Sequence, residues 1–194
     1  MVSFKLLHVD TNDMFWISTY HMPCDFNHMD MMTISSSLAL QHVQWLSGNA
    51  LPSSTKRRDD GEPIEDTQVS IPYILLGDFN FKYVDAPYIN YIEGQLDIGH
   101  PDYPKIPTGC SFTPAVRPVR SAYKEILGSE PEYTNNAVVR DQEPFIETLD
   151  YVFVSEHWDV NGIEELGKKE DITGPFPDVN EPSDHVLIAA NVSL

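Results

Sequence analysis

The chain has 194 residues, 41% of them hydrophobic, and a formal net charge of −18. That length and apolar share predict one globular domain over residues 1–194 with a core of its own. The acidity argues against broad, non-specific nucleic-acid binding, which needs a basic face, and the absence of any long apolar run argues against a membrane-spanning helix.

Two cysteines, Cys24 and Cys110, do not make a disulfide framework. With no secretory pattern over Met1 to Lys5, an intracellular setting is the expectation, the cytoplasm first, with nucleus and organelle left open. Five basic residues fall between 105 and 140: Lys105, Arg117, Arg120, Lys124 and Arg140. They are compatible with a local basic groove and equally with an ordinary solvated surface.

Phe4 to Val9 and Met14 to Tyr20 read as two strands of a hairpin around the turn cluster Asp10 to Asp13. The second strand runs into His21, Met22 and Pro23, which sets a histidine at a rim. Asp30 to Leu46 reads as a helix capped by Asp30 or Thr33 and stopped by Gly48, with Ile34, Leu38, Trp45 and Leu46 as its apolar stripe. Residues 49–70 are poor in large apolar side chains and are expected to form a mobile loop within the domain.

Ile71 to Leu76 is a short apolar run that stops at Gly77-Asp78-Phe79-Asn80. Residues two apart on an extended chain share a side, so Asp78 and Asn80 emerge together at the end of a buried strand. Asp85, with Pro87 in the first turn, opens a short helix through Ile92. A Pro- and Gly-rich loop spans His100 to Pro118, one or two helical turns follow over Ser121 to Leu127, and Glu130 to Thr148 reads as irregular. Thr148 to Ser155 reads as a strand whose apolar pattern Asp150 interrupts, and a carboxylate there needs a hydrogen-bond partner or a cation. Asp159 leads into another strand, Asp171 to Glu181 is a Pro-rich loop, and Val186 to Leu194 reads as a final apolar strand preceded by Ser183-Asp184-His185.

Four polar clusters thus stand at strand ends: His21, Asp78 with Asn80, Asp150, and Asp184 with His185. Carboxylates for a divalent cation, an amide for orientation and two histidines for acid–base or phosphate contact are the equipment of phosphate-ester hydrolysis. In this order they resemble the endonuclease/exonuclease/phosphatase superfamily, of which deoxyribonuclease I is a member. Tyr20-His21 looks like its Thr-His-Leu strand, and Gly77 to Asn80 matches its Gly-Asp-Phe-Asn. Leu149-Asp150-Tyr151 matches its Leu-Asp-Tyr, and Ser183-Asp184-His185 matches its Ser-Asp-His. Tyr133-Thr134-Asn135 and the stretch Phe145 to Tyr151 resemble the branch of carbon-catabolite-repressor-type deadenylases with nocturnin and the Angel proteins.

The resemblance implies an α/β fold, a four-layer α/β/β/α sandwich, and Mg²⁺-dependent phosphodiester hydrolysis (Mn²⁺ as a substitute). The substrate it implies is an RNA 3′ end, degraded as a 3′ exoribonuclease to 5′-nucleotides. The roles it implies are these. His185, oriented by Asp150, contacts the scissile phosphate and assists proton transfer. Asp78 positions the attacking water or holds metal with Asp184. Asn80 holds water or a phosphate oxygen, and His21 binds phosphate. Pro23, Tyr133, Asn135 and Phe145 are candidates for contact with bases. The family's first strands, one bearing an Asn and one ending in a Gln-Glu that supplies the main Mg²⁺ ligand, find no match before His21. An N-terminal truncation relative to the family is therefore expected. Two alternatives stay open: a binding module without catalysis, and a phosphodiesterase acting on DNA or a small phosphodiester.

Overall fold

The computed structural model describes residues 1–48, 70–138 and 143–194. The loop expected over 49–70 lies outside the described residues except for Ser70, as do Arg140 and Gln142. In chain order the described elements are β1 (Val2–Leu7), β2 (Met14–Thr19), α1 (Met29–Leu46), β3 (Tyr73–Asp78), α2 (Ala86–Glu93) and β4 (Arg120–Ser121). After these come α3 (Ala122–Leu127), β5 (Asn135–Ala137), β6 (Phe145–Glu147), β7 (Asp150–Val154), β8 (Asp159–Ile163) and β9 (Ala190–Ser193).

A five-stranded sheet in the order β1-β2-β3-β7-β4 carries the molecule, with β5-β6 and β8-β9 as separate pairs. The hairpin β1–β2 is antiparallel with Val2 opposite Thr19. β2 runs parallel to β3, and β7 returns antiparallel against β3 with Asp78 opposite Asp150. Period-two alternation then divides the side chains between two faces. Tyr73, Leu75, Tyr151 and Phe153 point to the side covered by α1 and α2, where Phe79 and Phe81 complete an aromatic core. Phe79 meets Tyr20, Tyr91, Tyr151 and Phe153 edge to face at 5.2–6.3 Å, the geometry that aromatic quadrupoles favour. On the opposite face Ile74, Val152 and Val154 pack with Ala122, Trp158 and the inner residues of β8 and β9. Helices, central sheet and the β8–β9 layer make up an α/β sandwich.

Three expectations are corrected. In α1 the buried positions are Met32, Thr33, Ser36, Ser37, Ala39, Leu40, Val43 and Gln44, whereas Leu38 and Trp45 are exposed. The hydroxyls can face the core because each is satisfied locally. Thr33 Oγ1 donates to Met29 O at 2.9 Å and Ser37 Oγ to Thr33 O at 2.6 Å. Gln44 bridges to the sheet through Tyr73 Oη at 3.0 Å and to the chain at Arg117 through both amide atoms. Neither Thr33 nor Asp30 therefore caps the helix, whose N-cap is His28, with no side-chain hydrogen bond to the first turn.

The stretch expected to be irregular over 130–148 contains β5 and β6, paired antiparallel. Each strand is three residues long, too short for alternation to show, and Asn135-Asn136 is poor strand sequence. The final strand is confined to Ala190–Ser193. Two of the described basic residues are engaged in local contacts. Arg120 is drawn to Glu125 and to the Ser155 and Trp158 carbonyls, and Lys124 lies over the Tyr88 ring.

Candidate active site

The register of β3 and β7 begins the site. Asp78 ends β3 and Asp150 begins β7, directly opposite one another on the same face. Two like charges so placed repel, and the surroundings offset this at each carboxylate.

Asp150 Oδ2 accepts the His185 Nδ1 proton at 2.7 Å and the Thr134 Oγ1 proton at 2.7 Å. An ionised carboxylate only accepts, so Nδ1 must carry the proton and Nε2 is turned toward the cavity. That hydrogen bond to Asp150 is the main reason the His185 pKa is raised above its usual 6.5, and burial opposes it in part. Nε2 stands 3.9 Å from Asp78 Oδ2, and His21 Nε2 stands 3.4 Å from the same oxygen. Asp78 is thus flanked by two imidazoles. Its own pKa is raised, chiefly by burial, while the backbone N–H of Asn80 pulls it back.

Asn80 is held in the left-handed region at φ 53°. Its backbone N–H donates to Asp78 Oδ1 at 2.9 Å, and its Nδ2 donates to Met22 O at 2.7 Å and toward Asp78 Oδ2 at 3.3 Å. In this arrangement Asn80 ties the His21 loop to β3 and fixes the Asp78 carboxylate.

Gly77 makes the approach of β2 possible. Its φ is +135°, and a Cβ there would lie 2.2 Å from Tyr20 O. Only glycine fits both demands. Beyond it, Met22 N–H donates to Asp78 O and Phe79 N–H to Leu149 O, so the His21, Asp78 and Asp150 segments are stitched together by backbone. The Asp184-His185 loop is docked in the same way. Asn136 N–H donates to Asp184 O at 2.8 Å, Val186 N–H to Thr134 O at 2.9 Å, and Asn135 Nδ2 to Asp184 O at 3.3 Å.

These residues line one cavity of about 740 Å³, whose wall includes His21, Asp78, Asn80, Asn135, Phe145, Asp150, Asp184 and His185. Pro23 and Tyr133 are not part of that wall. Tyr133 is buried instead, with its ring 6.5 Å from that of Phe176. Pro23 is exposed on the far side of Met22, whose side chain takes the inward position. Cys24, Phe26, Ala137, Leu149 and Ser183 join the wall although the sequence reading assigned none of them a role. Phe26 packs beside Phe145 at 5.8 Å. An exposed aromatic five residues after His21 was the available signal for it. Thr134 stands in the Tyr133-Thr134-Asn135 stretch, but its part was not readable there, because its contribution is a hydrogen bond to a residue sixteen positions away.

The donor set was compared with a resident Mg²⁺. Among the described residues no three His, Cys, Asp or Glu side chains converge as cation ligands. The oxygens of Asp78 already face Asn80 and two imidazoles, and Asp150 Oδ2 is taken by Thr134 and His185. The residues present therefore do not make a self-contained Mg²⁺ site.

No family model matches the chain. Among curated proteins it is similar to the 3′-5′-exoribonuclease subunit Ccr4 of the CCR4-Not complex from Yarrowia lipolytica, at 26% identity over 97% of this chain and 27% of that protein. Among solved structures it superposes on the human nocturnin catalytic domain with a TM-score of 0.60 and 20% identity, covering 98% of this chain and 51% of that one. It also superposes on ANGEL2, a 2′,3′-cyclic phosphatase captured with adenosine-2′,3′-vanadate, with a TM-score of 0.62 and 16% identity, covering 92% and 56%. The chain thus spans about half the length of these solved structures and about a quarter of the curated relative.

Proposed function

The chain has the fold of the endonuclease/exonuclease/phosphatase superfamily and is similar to its CCR4, nocturnin and Angel branch, and from that premise we propose that it hydrolyses phosphodiester bonds at an RNA 3′ end. The observation that carries the proposal is His185, donating to Asp150 at 2.7 Å on one side and facing Asp78 at 3.9 Å on the other.

In this reading the phosphate sits between His185 and His21. His185, its pKa raised by Asp150, presents a protonated Nε2 to a phosphate oxygen and hands over that proton as charge builds on the leaving oxygen. Asp78, its pKa raised by burial, is a stronger base than a solvated aspartate and orients the attacking water. Asn80 holds Asp78 in place through the bonds described above. His21, with its side chain 80% exposed, closes on the phosphate from the rim. Phe26 and Phe145 offer stacking faces to a base at the cavity mouth. Asp184 belongs to the proposal as a carboxylate available to a cation that arrives with phosphate, since Mg²⁺ keeps several waters and takes one or two carboxylates beside phosphate oxygens. No step is assigned to that ion. Because the chain spans only part of its relatives, turnover by these residues without further polypeptide is part of what is proposed.

The test is release of 5′-nucleotides from adenylate-tailed RNA in the presence of Mg²⁺. His185→Ala and Asp78→Ala are each expected to lower the rate by about 10²-fold or more, and rates unchanged in both variants would sink the proposal. The similarity to a 2′,3′-cyclic phosphatase favours a second reading, a small cyclic phosphodiester as substrate. Faster turnover of adenosine 2′,3′-cyclic phosphate than of tailed RNA would select it.

A further inference from the structure

Thr134 lies between β7 and the Asp184-His185 loop and is fully buried, at 0% exposure. Its hydroxyl oxygen accepts the backbone N–H of Leu149 at 2.9 Å and of Asp150 at 3.0 Å. A threonine hydroxyl has two lone pairs and one proton. With both lone pairs occupied, the proton has a single direction left, and there it meets Asp150 Oδ2 at 2.7 Å. That is the same oxygen that accepts the His185 Nδ1 proton. The main chain of Thr134 is fixed as tightly: its N–H donates to Glu147 O at 3.0 Å and its carbonyl accepts Val186 N–H at 2.9 Å. One residue therefore grips the strand that carries Asp150, the carboxylate itself, and the loop that carries His185.

We propose that Thr134 is a positioning residue of the site, a hydroxyl that locks the rotation of the Asp150 carboxylate so that one oxygen is aimed at His185 Nδ1. Without the hydroxyl, Asp150 turns about its Cβ–Cγ bond, two backbone N–H groups lose their acceptor, and the imidazole loses its fixed tautomer. Partners one step removed from the reacting groups typically cost about 10–100-fold in activity when lost. The catalytic consequence rests on the proposed phosphodiester chemistry; the structural claim does not.

The test is a trio of chains: wild type, Thr134→Val, which replaces the hydroxyl by a methyl of the same shape, and Thr134→Ser, which keeps the hydroxyl. In proton NMR with ¹⁵N-labelled histidine, the wild type and T134S are expected to show a downfield, exchange-protected His185 Nδ1–H resonance, and T134V to lose it while still melting cooperatively. With RNA substrate, T134V should lose about 10–100-fold in kcat with KM little changed, and T134S should recover most of it. An Nδ1–H resonance in T134V at the wild-type position and intensity would overturn the proposal, whatever the activity of the chain. Should T134V fail to fold, the wild type alone decides. A slowly exchanging Thr134 hydroxyl proton supports the lock, and a freely exchanging one overturns it. If no chain turns over any phosphodiester, the function proposal fails and the resonance still reads out Thr134.

Discussion

At the scale of single residues, the centre of the molecule is an arrangement of four side chains whose charges answer one another. Asp78 and Asp150 are forced together by strand register, and His185 is shared between them. The two carboxylates are not equivalent. Asp150 engages both Thr134 and His185 through one oxygen, Oδ2, whereas Asp78 is held by Asn80 and keeps an oxygen turned to the imidazoles. In the proposed reaction that inequality gives Asp150 the orienting part and Asp78 the part of proton acceptor. It also bears on the cation. Since no three ligating side chains converge on a cation among the described residues, removal of divalent ions with EDTA is expected to move the melting temperature by less than about 1 °C, because an ion with no resident site in the native state does not stabilise it. A fall of several degrees on EDTA addition, restored by Mg²⁺, would show that a resident ion had been overlooked. The residue types of this arrangement were legible in the sequence, because Asp78, Asn80, Asp150 and His185 each stand in a short local motif. The part of Thr134, named only within the Tyr133-Thr134-Asn135 stretch, and that of Phe26 were not, since what gives them a place is contact with groups far along the chain.

At the scale of elements, β3 shows how a strand end becomes a wall of the site. Its first residues alternate between two cores, and its last two leave that pattern. Gly77, at φ +135°, carries the chain past the Tyr20 carbonyl, where a methyl group would stand 2.2 Å from the oxygen. Gly77→Ala must therefore push β2 away from β3 or twist the strand, and both strain and overpacking cost about 1–3 kcal/mol each. A melting curve for G77A should show a loss of about 2–5 kcal/mol, and a loss below about 0.5 kcal/mol would mean that the close approach is not maintained in solution. Helix α1 teaches the complementary lesson. Its large apolar side chains Leu38 and Trp45 are exposed while Ser36, Ser37 and Gln44 face the sheet. Hydropathy alone points the helix the wrong way, because it does not count the carbonyls that satisfy buried hydroxyls. Tyr91 Oη donates to Ser36 O at 2.6 Å and Asn90 Nδ2 to Ser37 Oγ at 3.1 Å, so the α1–α2 contact is polar as well as apolar.

At the scale of the whole molecule, the net charge of −18 and the direction of the pKa shifts act together. His185 is raised above its usual 6.5 by Asp150. A base raised in the folded state binds its proton more tightly there, so its contribution is fully present below the unfolded value and is lost as pH rises through the folded one. Asp78 and Glu130 are raised chiefly by burial. For a buried acid the folded state also favours the proton, so stability falls as pH climbs from the ordinary carboxylate value to the raised one, and between about pH 6 and pH 8 the direction is set by His185. The melting temperature is therefore expected to be higher near about pH 6 than near about pH 8, opposite to the behaviour of a chain stabilised by exposed carboxylate ion pairs. Equal or lower melting at the acid end would contradict the assignment. On the alkaline side, Tyr73 is pushed up to about 12 by burial, so ionising the tyrosines should unfold the protein rather than titrate it quietly.

The sequence by itself determined the polar clusters on which the proposed chemistry rests and the α/β kind of scaffold that carries them. The polar clusters ending apolar runs, the Gly-Asp-Phe-Asn turn and the hairpin of β1 and β2 are local patterns, and local patterns are written in neighbouring residues. Tertiary structure alone decided the pairing of β5 with β6, the side of α1 that faces the sheet, the exclusion of Tyr133 and Pro23 from the cavity, and the convergence of Thr134 on Asp150. Each of these depends on which distant backbone or side-chain group satisfies a hydrogen bond or excludes water, and such partners are set by the three-dimensional packing of segments that lie far apart along the chain.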